Sequence, residues 1–244
     1  MSSSQVFWLD ASDPPDAFPD IEEALREPDG LLAAGGDLSS ERLLNAYRKG
    51  IFPWYDDEQP ILWWSPDPRC VLRPADFHVS RRLRRDLLRS KATLTFNQSF
   101  GEVVRACAAP RIAQQGTWIT ADMILAYEQL HREGWAHSVE VWQDGRRVGG
   151  LYGLAIGKVF FGESMYSLEP NTSKFAMLGL SRFLLRNDVA LIDCQVISRH
   201  LLTLGATMIS RPDFRRELDS ACNPVTRIRN WPPNPVDVSE LSPK

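Results

Sequence analysis

The stretch His137-Ser138-Val139-Glu140-Val141-Trp142-Gln143-Asp144-Gly145 decides the fold, because apolar and polar residues alternate along it and then stop at a two-residue turn signal. Alternation at period two marks a strand with one covered face, and Asp-Gly is a favoured hairpin loop. Residues 147–156 run back as a second strand, and Gly157-Lys158 makes another tight turn into Val159-Phe160-Phe161-Gly162-Glu163-Ser164-Met165-Tyr166. The spacing therefore predicts an antiparallel meander of three strands. Thr172 or Ser173 then caps a helix carrying Phe175, Leu178, Leu180, Phe183 and Leu184. Asn187-Asp188 turns the chain into the apolar run Val189-Ala190-Leu191-Ile192, Ser198 opens a helix that Gly205 closes, and residues 206–210 supply a further strand. Hairpins followed by helix, strand, helix and strand predict an α+β sheet with helices packed against it.

Upstream, Ser39 or Ser40 caps a helix with Leu43, Leu44 and Tyr47 on one side, ended by Gly50. A loop rich in proline and tryptophan follows, from Phe52-Pro53-Trp54-Tyr55 to Leu62-Trp63-Trp64-Ser65-Pro66-Asp67-Pro68-Arg69. Rigid aromatic residues at that density build a small core, wall a pocket or stack on bases. Ser80 caps a basic helix, residues 92–96 read as a strand, and Phe100, Val103 and Val104 give the next helix its apolar side. Thr120 caps a longer helix with Met123, Leu125, Tyr127 and Leu130, ending near Gly134. This order predicts a small N-terminal α+β domain over residues 1–110 and a catalytic domain over 111–244. The tail Trp231-Pro232-Pro233-Asn234-Pro235 reads as extended chain on the surface.

The chain has 244 residues, enough for one large domain or two modest ones. Residues 1–5 lack a basic residue and an apolar run of signal length, and no stretch has membrane-spanning length, so a cytoplasmic protein is expected. Cys70, Cys107, Cys194 and Cys222 are too scattered for a zinc site or redox dithiol, and His78, His131, His137 and His200 show no ligand spacing. No metal is expected. The net charge of −3 argues against a general nucleic-acid coat, but Arg81, Arg82, Arg84, Arg85, Arg89 and Lys91 face a single acid, Asp86. Such a run is a wet helix face or a phosphate-binding one.

Ile192-Asp193-Cys194-Gln195 puts a carboxylate and a carboxamide two residues apart on a buried strand. Strict alternation turns Asp193 and Gln195 to one face and Cys194 to the other. A buried polar pair must find partners or serve chemistry, and Asp193 at a strand end can also satisfy backbone donors.

Seven motifs carry a resemblance that spans nearly the whole chain. They are Gly30-Leu31-Leu32-Ala33-Ala34-Gly35-Gly36-Asp37-Leu38, Gly50-Ile51-Phe52-Pro53-Trp54, residues 62–69 quoted above, Gly116-Thr117-Trp118-Ile119, Gly149-Gly150-Leu151-Tyr152-Gly153, Phe161-Gly162-Glu163-Ser164-Met165 and Asp193-Cys194-Gln195. In order and spacing they resemble the leucyl/phenylalanyl-tRNA protein transferase family. Tyr166 and Thr172 stand where the family pattern has phenylalanine and alanine, and neither removes a group that chemistry requires.

The resemblance implies an acetyltransferase-like (GNAT) C-terminal domain and an aminoacyltransferase that moves Leu, Phe or Met from aminoacyl-tRNA to an N-terminal Arg or Lys of acceptor proteins, marking them for degradation. It implies no cofactor and no membrane association, and a monomer is expected. Catalytic roles fall on Asp193, Gln195 and Glu163, with Glu163 contacting the amino group of the bound aminoacyl moiety. Trp54 and Trp118 lie near the aminoacyl-adenosine end, and Leu151, Phe160, Met177, Leu184 and Ile192 are assigned to the apolar pocket. Arg81, Arg82, Arg84 and Arg85 are assigned to acceptor-stem phosphates.

Three other readings compete with this one. A Cys194 nucleophile with His200 as base is disfavoured because the strand period turns Cys194 away and an activated ester needs no covalent step. An acetyl-CoA-dependent N-acetyltransferase lacks its pyrophosphate loop, since Arg147-Val148-Gly149-Gly150 lies in a hairpin. A non-catalytic tRNA-binding module leaves Asp193, Gln195 and Glu163 without a purpose.

Overall fold

In the computed structural model, which describes residues 6–112 and 118–242, the chain is organised around two sheets. The smaller has β1 (Phe7–Leu9), β2 (Leu31–Gly35), β3 (Phe52–Pro53) and β4 (Leu62–Trp64) in the order β1-β2-β4-β3, with helix α1 (Ser40–Arg48) between β2 and β3. The larger has eight strands: β5 (Arg69–Leu72), β6 (Thr93–Phe96), β7 (Ala136–Gln143), β8 (Arg146–Ile156), β9 (Val159–Ser167), β10 (Leu191–Gln195), β11 (Thr207–Ile209) and β12 (Val236–Asp237). Their order is β11-β5-β10-β9-β8-β7-β6-β12. The expected meander is its centre, and the α+β class holds.

The sheet is mixed because β10 returns parallel to β9 after the crossover helix α5 (Thr172–Arg186), whereas its other pairings are antiparallel. Alternating residues give the sheet two covered faces. Leu151, Ala155, Phe160 and Ile192 share one core with Phe175, Leu178 and Leu184 of α5 and with Leu83 and Leu87 of α2 (Arg81–Arg89). Tyr152, Leu154, Phe161 and Leu191 share the other with Val103 and Val104 of α3 (Phe100–Ile112), Met123 and Leu130 of α4 (Ala121–Arg132), and Tyr47. A short α6 (Arg199–Thr203) and then α7 (Arg211–Ala221) follow β10, with Phe214 of α7 joining the second core.

Strands β5 and β6, which precede residue 110, hydrogen-bond into the large sheet, β5 with β10 and β6 with β7. Three local expectations are corrected. Asn171, in the left-handed region at φ +67°, caps α5, and Thr172 is already helical with its hydroxyl donating to Val148 O at 2.9 Å. Helix α7 was not expected, although Ser210, whose hydroxyl accepts Asp213 N–H at 3.2 Å, and Pro212 in its first turn signal a helix start. The tail is not merely surface chain. Trp231 stacks on His137 and Phe183 with ring centroids at 4.1 and 4.3 Å, and Val236 pairs with Leu94 on β6.

Candidate active site

Strands β9 and β10 are paired only through Leu191, Ile192 and Asp193 against Val159, Phe160 and Phe161, and a cavity of about 290 Å³ lies beside the stretch beyond, where β9 continues unpaired with β10. Each strand carries an irregularity at that point. On β9, Ser164 pairs with Tyr152 and Gly162 with Gly153, which leaves Glu163 as the extra residue of a bulge. On β10, Asp193 pairs with Val71 and Gln195 with Cys70, which leaves Cys194 as the extra residue. Bulges re-aim side chains. Gln195 also sits at φ +60°, a left-handed conformation uncommon for a residue with a side chain.

These irregularities break the alternation expected for residues 193–195. Ile192, Cys194 and Gln195 all line the cavity, and Asp193 does not. Asp193 is fully buried on the other side against Arg69, whose Nε and Nη2 donate to its two carboxylate oxygens at 2.9 and 2.7 Å. Arg69 also donates to Gly50 O at 3.1 Å and lies 4.7 Å from the ring centres of both Phe52 and Phe214. Asp193 Oδ1 accepts the backbone N–H of Gln195 at 2.9 Å. This short-range bond holds Gln195 in its left-handed turn, as aspartate side chains do in turns. The carboxylate thus acts on the cavity through the backbone.

Among the described residues no cation bonds the Glu163 carboxyl. Its Oε1 accepts from Gln195 Nε2 at 2.7 Å and lies 2.7 Å from Tyr47 Oη, and its Oε2 lies 2.8 Å from Tyr127 Oη. The two tyrosine hydroxyls also touch each other closely. Burial is the main cause that pushes the Glu163 carboxyl up to about 7, against the lowering effect of its hydrogen-bond partners Tyr47, Tyr127 and Gln195. Burial, followed by the Glu163 charge, raises both tyrosines well above the ordinary phenol value, so both hydroxyls keep their hydrogens. With its nitrogen bound to Glu163, the Gln195 carboxamide has its oxygen left as an acceptor.

Of the seven residues assigned to substrate, Trp54, Trp118, Leu151, Phe160, Met177 and Ile192 line the cavity. Leu184 does not: it is buried one helical turn further along α5, and Leu180 takes its place. The lining thus combines apolar side chains, among them Leu151, Met177, Leu180 and Ile192, with the polar groups of Glu163 and Gln195. Trp54 is 42 % exposed. Gly116 and Thr117 lie outside the described residues. Arg81, Arg82, Arg84 and Arg85 are all exposed on α2, whose buried side is Leu83 and Leu87.

Both Cys194 and His200 line the cavity, so the strand does not turn Cys194 away from it. Contact with Cys70, then burial, raise the Cys194 thiol well above its ordinary value, which disfavours the thiolate that a nucleophile needs. Sequence reasoning missed Arg69, Tyr47 and Tyr127. An arginine opening the apolar strand Cys70-Val71-Leu72 was the one available signal, because a buried cation needs a buried anion. Among the described residues no group of three or more His, Cys, Asp or Glu is placed to hold a metal ion, and no helix is long and apolar enough to cross a membrane.

The family model described as leucyl/phenylalanyl-tRNA protein transferase matches residues 71–219, and the model of that family's N-terminal domain matches residues 36–67. The chain is 54% identical over 226 residues to the leucyl/phenylalanyl-tRNA–protein transferase of Pseudomonas aeruginosa (strain LESB58), covering 93% of this chain and 96% of that one. It is 57% identical over 201 residues to the protein of the same name from Cellvibrio japonicus (strain Ueda107), covering 82% and 86%. Among solved structures, an aminoglycoside acetyltransferase from an uncultured soil metagenomic sample overlays on 57% of this chain and 95% of its own, at 11% identity and a TM-score of 0.36.

Proposed function

The chain belongs to the leucyl/phenylalanyl-tRNA protein transferase family, and from that premise we propose that the cavity between β9 and β10 is where an aminoacyl ester meets the amino terminus of an acceptor protein. The observation that carries the reading is the mixed lining of the cavity: apolar side chains that suit a leucyl or phenylalanyl group, beside Gln195, whose carboxamide is bonded to Glu163 and whose backbone N–H is bonded to Asp193. Burying the side chain contributes about 0.8 kcal/mol per methylene, which favours leucine over alanine, and discrimination against side chains branched at Cβ has to come from the shape of the walls.

Aminoacyl-tRNA is an activated ester, so the enzyme must position an amine and let the tetrahedral intermediate collapse. A protein α-amino group has a pKa of about 8, so on the order of a tenth of it is neutral at pH 7. Gln195 is no base. Its free oxygen accepts an N–H of the attacking amine and aims the nitrogen lone pair at the ester carbonyl. The new C–N bond forms, the C–O bond to the ribose breaks, and the amine proton passes to the departing ribose oxygen. Glu163, which lines the same cavity, is assigned to the amino group of the leucyl or phenylalanyl moiety. Trp54 and Trp118 offer faces for the terminal adenine, at roughly 1–3 kcal/mol per stacked base. Arg81, Arg82, Arg84 and Arg85 meet acceptor-stem phosphates and read A-form shape more than sequence.

The acetyl-CoA and binding-module readings find no support in the relatives. The test is transfer of labelled leucine from leucyl-tRNA to a peptide with amino-terminal arginine. A matched peptide beginning with aspartate and a reaction supplied with acetyl-CoA serve as controls. Label on the arginine peptide alone is expected. tRNA binding without transfer, or acetylation, overturns the reading.

A further inference from the structure

Tyr47, Tyr127 and Glu163 form a triangle with three oxygen-to-oxygen edges: Tyr47 to Glu163 Oε1 at 2.7 Å, Tyr127 to Glu163 Oε2 at 2.8 Å, and the close contact between the two hydroxyls. Each edge is attractive only with one hydrogen in it. Two phenols supply two hydrogens, and an ionised carboxylate supplies none, so one edge would set lone pairs against each other. A protonated carboxyl supplies the third. Glu163 then donates to Tyr127, Tyr127 to Tyr47, and Tyr47 back to Oε1, and the loop closes with every group donating once.

The charges around the triangle agree with this count. Tyr47 faces Glu163 from α1, Tyr127 from α4, and Tyr152 also faces this cluster from β8; all are phenols. From β10 come the neutral Gln195 and the charge of Asp193, which the Arg69 guanidinium on β5 offsets. The thiols Cys70 and Cys194 border the Asp193–Arg69 pair. No cation bonds the Glu163 carboxyl among the described residues, and burial favours the uncharged form.

We propose that Glu163 is a neutral acid in the free enzyme, closing a ring of three hydrogen bonds with Tyr47 and Tyr127, and that this ring is the positioning device that fixes the Gln195 carboxamide with its oxygen toward the cavity. The ring itself rests on geometry. What it serves rests on the aminoacyltransferase reading above. Tyr47 and Tyr127 are then positioning residues that act through Glu163 on Gln195.

The experiment is a pH titration of the whole protein carrying glutamate labelled with carbon-13 at the side-chain carboxyl, with the Glu163 resonance identified by its loss in Glu163→Gln. The expected result is a carboxyl still protonated at pH 6, where ordinary glutamates, with a pKa of about 4.3, are ionised. A Glu163 resonance already at the ionised position at pH 6 overturns the proposal. Transfer assays supply the second readout. Glu163→Ala is expected to lose transfer by about tenfold or more, and Glu163→Gln, whose amide donates into the ring as the acid does, to restore most of that loss and to lack the wild-type decline above pH 7. Gln as poor as Ala at every pH also overturns the proposal. Absence of leucine transfer by the wild type would instead defeat the functional reading, leaving the titration result to stand by itself.

Discussion

Two carboxyl groups lie buried on adjacent strands of one sheet, and they are held in opposite ways. Asp193 is gripped by the Arg69 guanidinium through Nε and Nη2, whereas Glu163 meets, among the described residues, the neutral groups of Tyr47, Tyr127 and Gln195. The first is an ion pair whose two charges offset each other in a medium that tolerates neither alone. The second escapes the cost of burial by surrendering its charge. The contrast teaches that depth does not assign a role: Asp193 is committed to holding the backbone, and Glu163, bordering the cavity, has its carboxyl pushed up to about 7.

Removing one partner of the ion pair is the largest test of this contrast. Asp193→Ala strands the Arg69 guanidinium and is expected to cost about 3–5 kcal/mol in urea denaturation at pH 7. Replacing both partners with apolar residues, Arg69→Met with Asp193→Leu, is expected to recover much of that stability, yet transfer should stay low because the Gln195 N–H has lost its acceptor. A stable and fully active double variant would show that the pair serves folding alone.

The next effect is specific to Glu163 and depends on pH. Between 4.5 and about 7 the folded chain retains a proton that the unfolded chain releases. The stability contributed by the neutral carboxyl is therefore fully present below 4.5, is lost as pH rises to about 7, and stays constant above. Measured against Glu163→Gln, wild-type stability should fall across this window by on the order of 3 kcal/mol. A flat difference would place Glu163 among ordinary ionised glutamates.

Gln195 joins the two carboxyls and gives a smaller effect. At φ +60° a glycine rests more comfortably than an alanine, so Gln195→Gly should be about 1 kcal/mol more stable than Gln195→Ala, with transfer lost in both. Equal stabilities would mean that the left-handed turn relaxes once the carboxamide is gone. The smallest stability change is expected at the exposed charges of α2. Replacing Arg81, Arg82, Arg84 and Arg85 by Gln should alter stability by no more than about 0.5 kcal/mol per site. The same changes should weaken tRNA binding and reduce its salt dependence.

The meander, the caps at Ser80, Thr120 and Ser198, and the α+β class are all legible because each depends on neighbours in sequence: alternation, a turn dipeptide, a hydroxyl three residues before an amide. The apolar wall is legible for a related reason, since residues with a period of two or of three to four share a face. Leu184 fails because helix periodicity gives a face and not a depth along it. The facing of residues 193–195 is misread because a bulge is invisible to a rule that assumes none. Tyr47 and Tyr127 read as ordinary core residues, since their hydroxyls find a carboxyl 116 and 36 residues away. Arg69 and Asp193 stand 124 residues apart, and only the antiparallel register of β5 on β10 makes them a pair.

The two-residue strand β12 has a bearing on handling the protein. Val236 and Asp237 cover the outer edge of β6, and Val238 and Leu241 anchor the cover in the core. A chain cut before Val236 would leave the Leu94 strand with unsatisfied amides and carbonyls along an apolar rim, a template on which other chains can add. Such a shortened protein is expected to self-associate during purification while the cavity beside β9 and β10 remains intact. Residues 236–241 thus shield the outer edge of β6 from other chains.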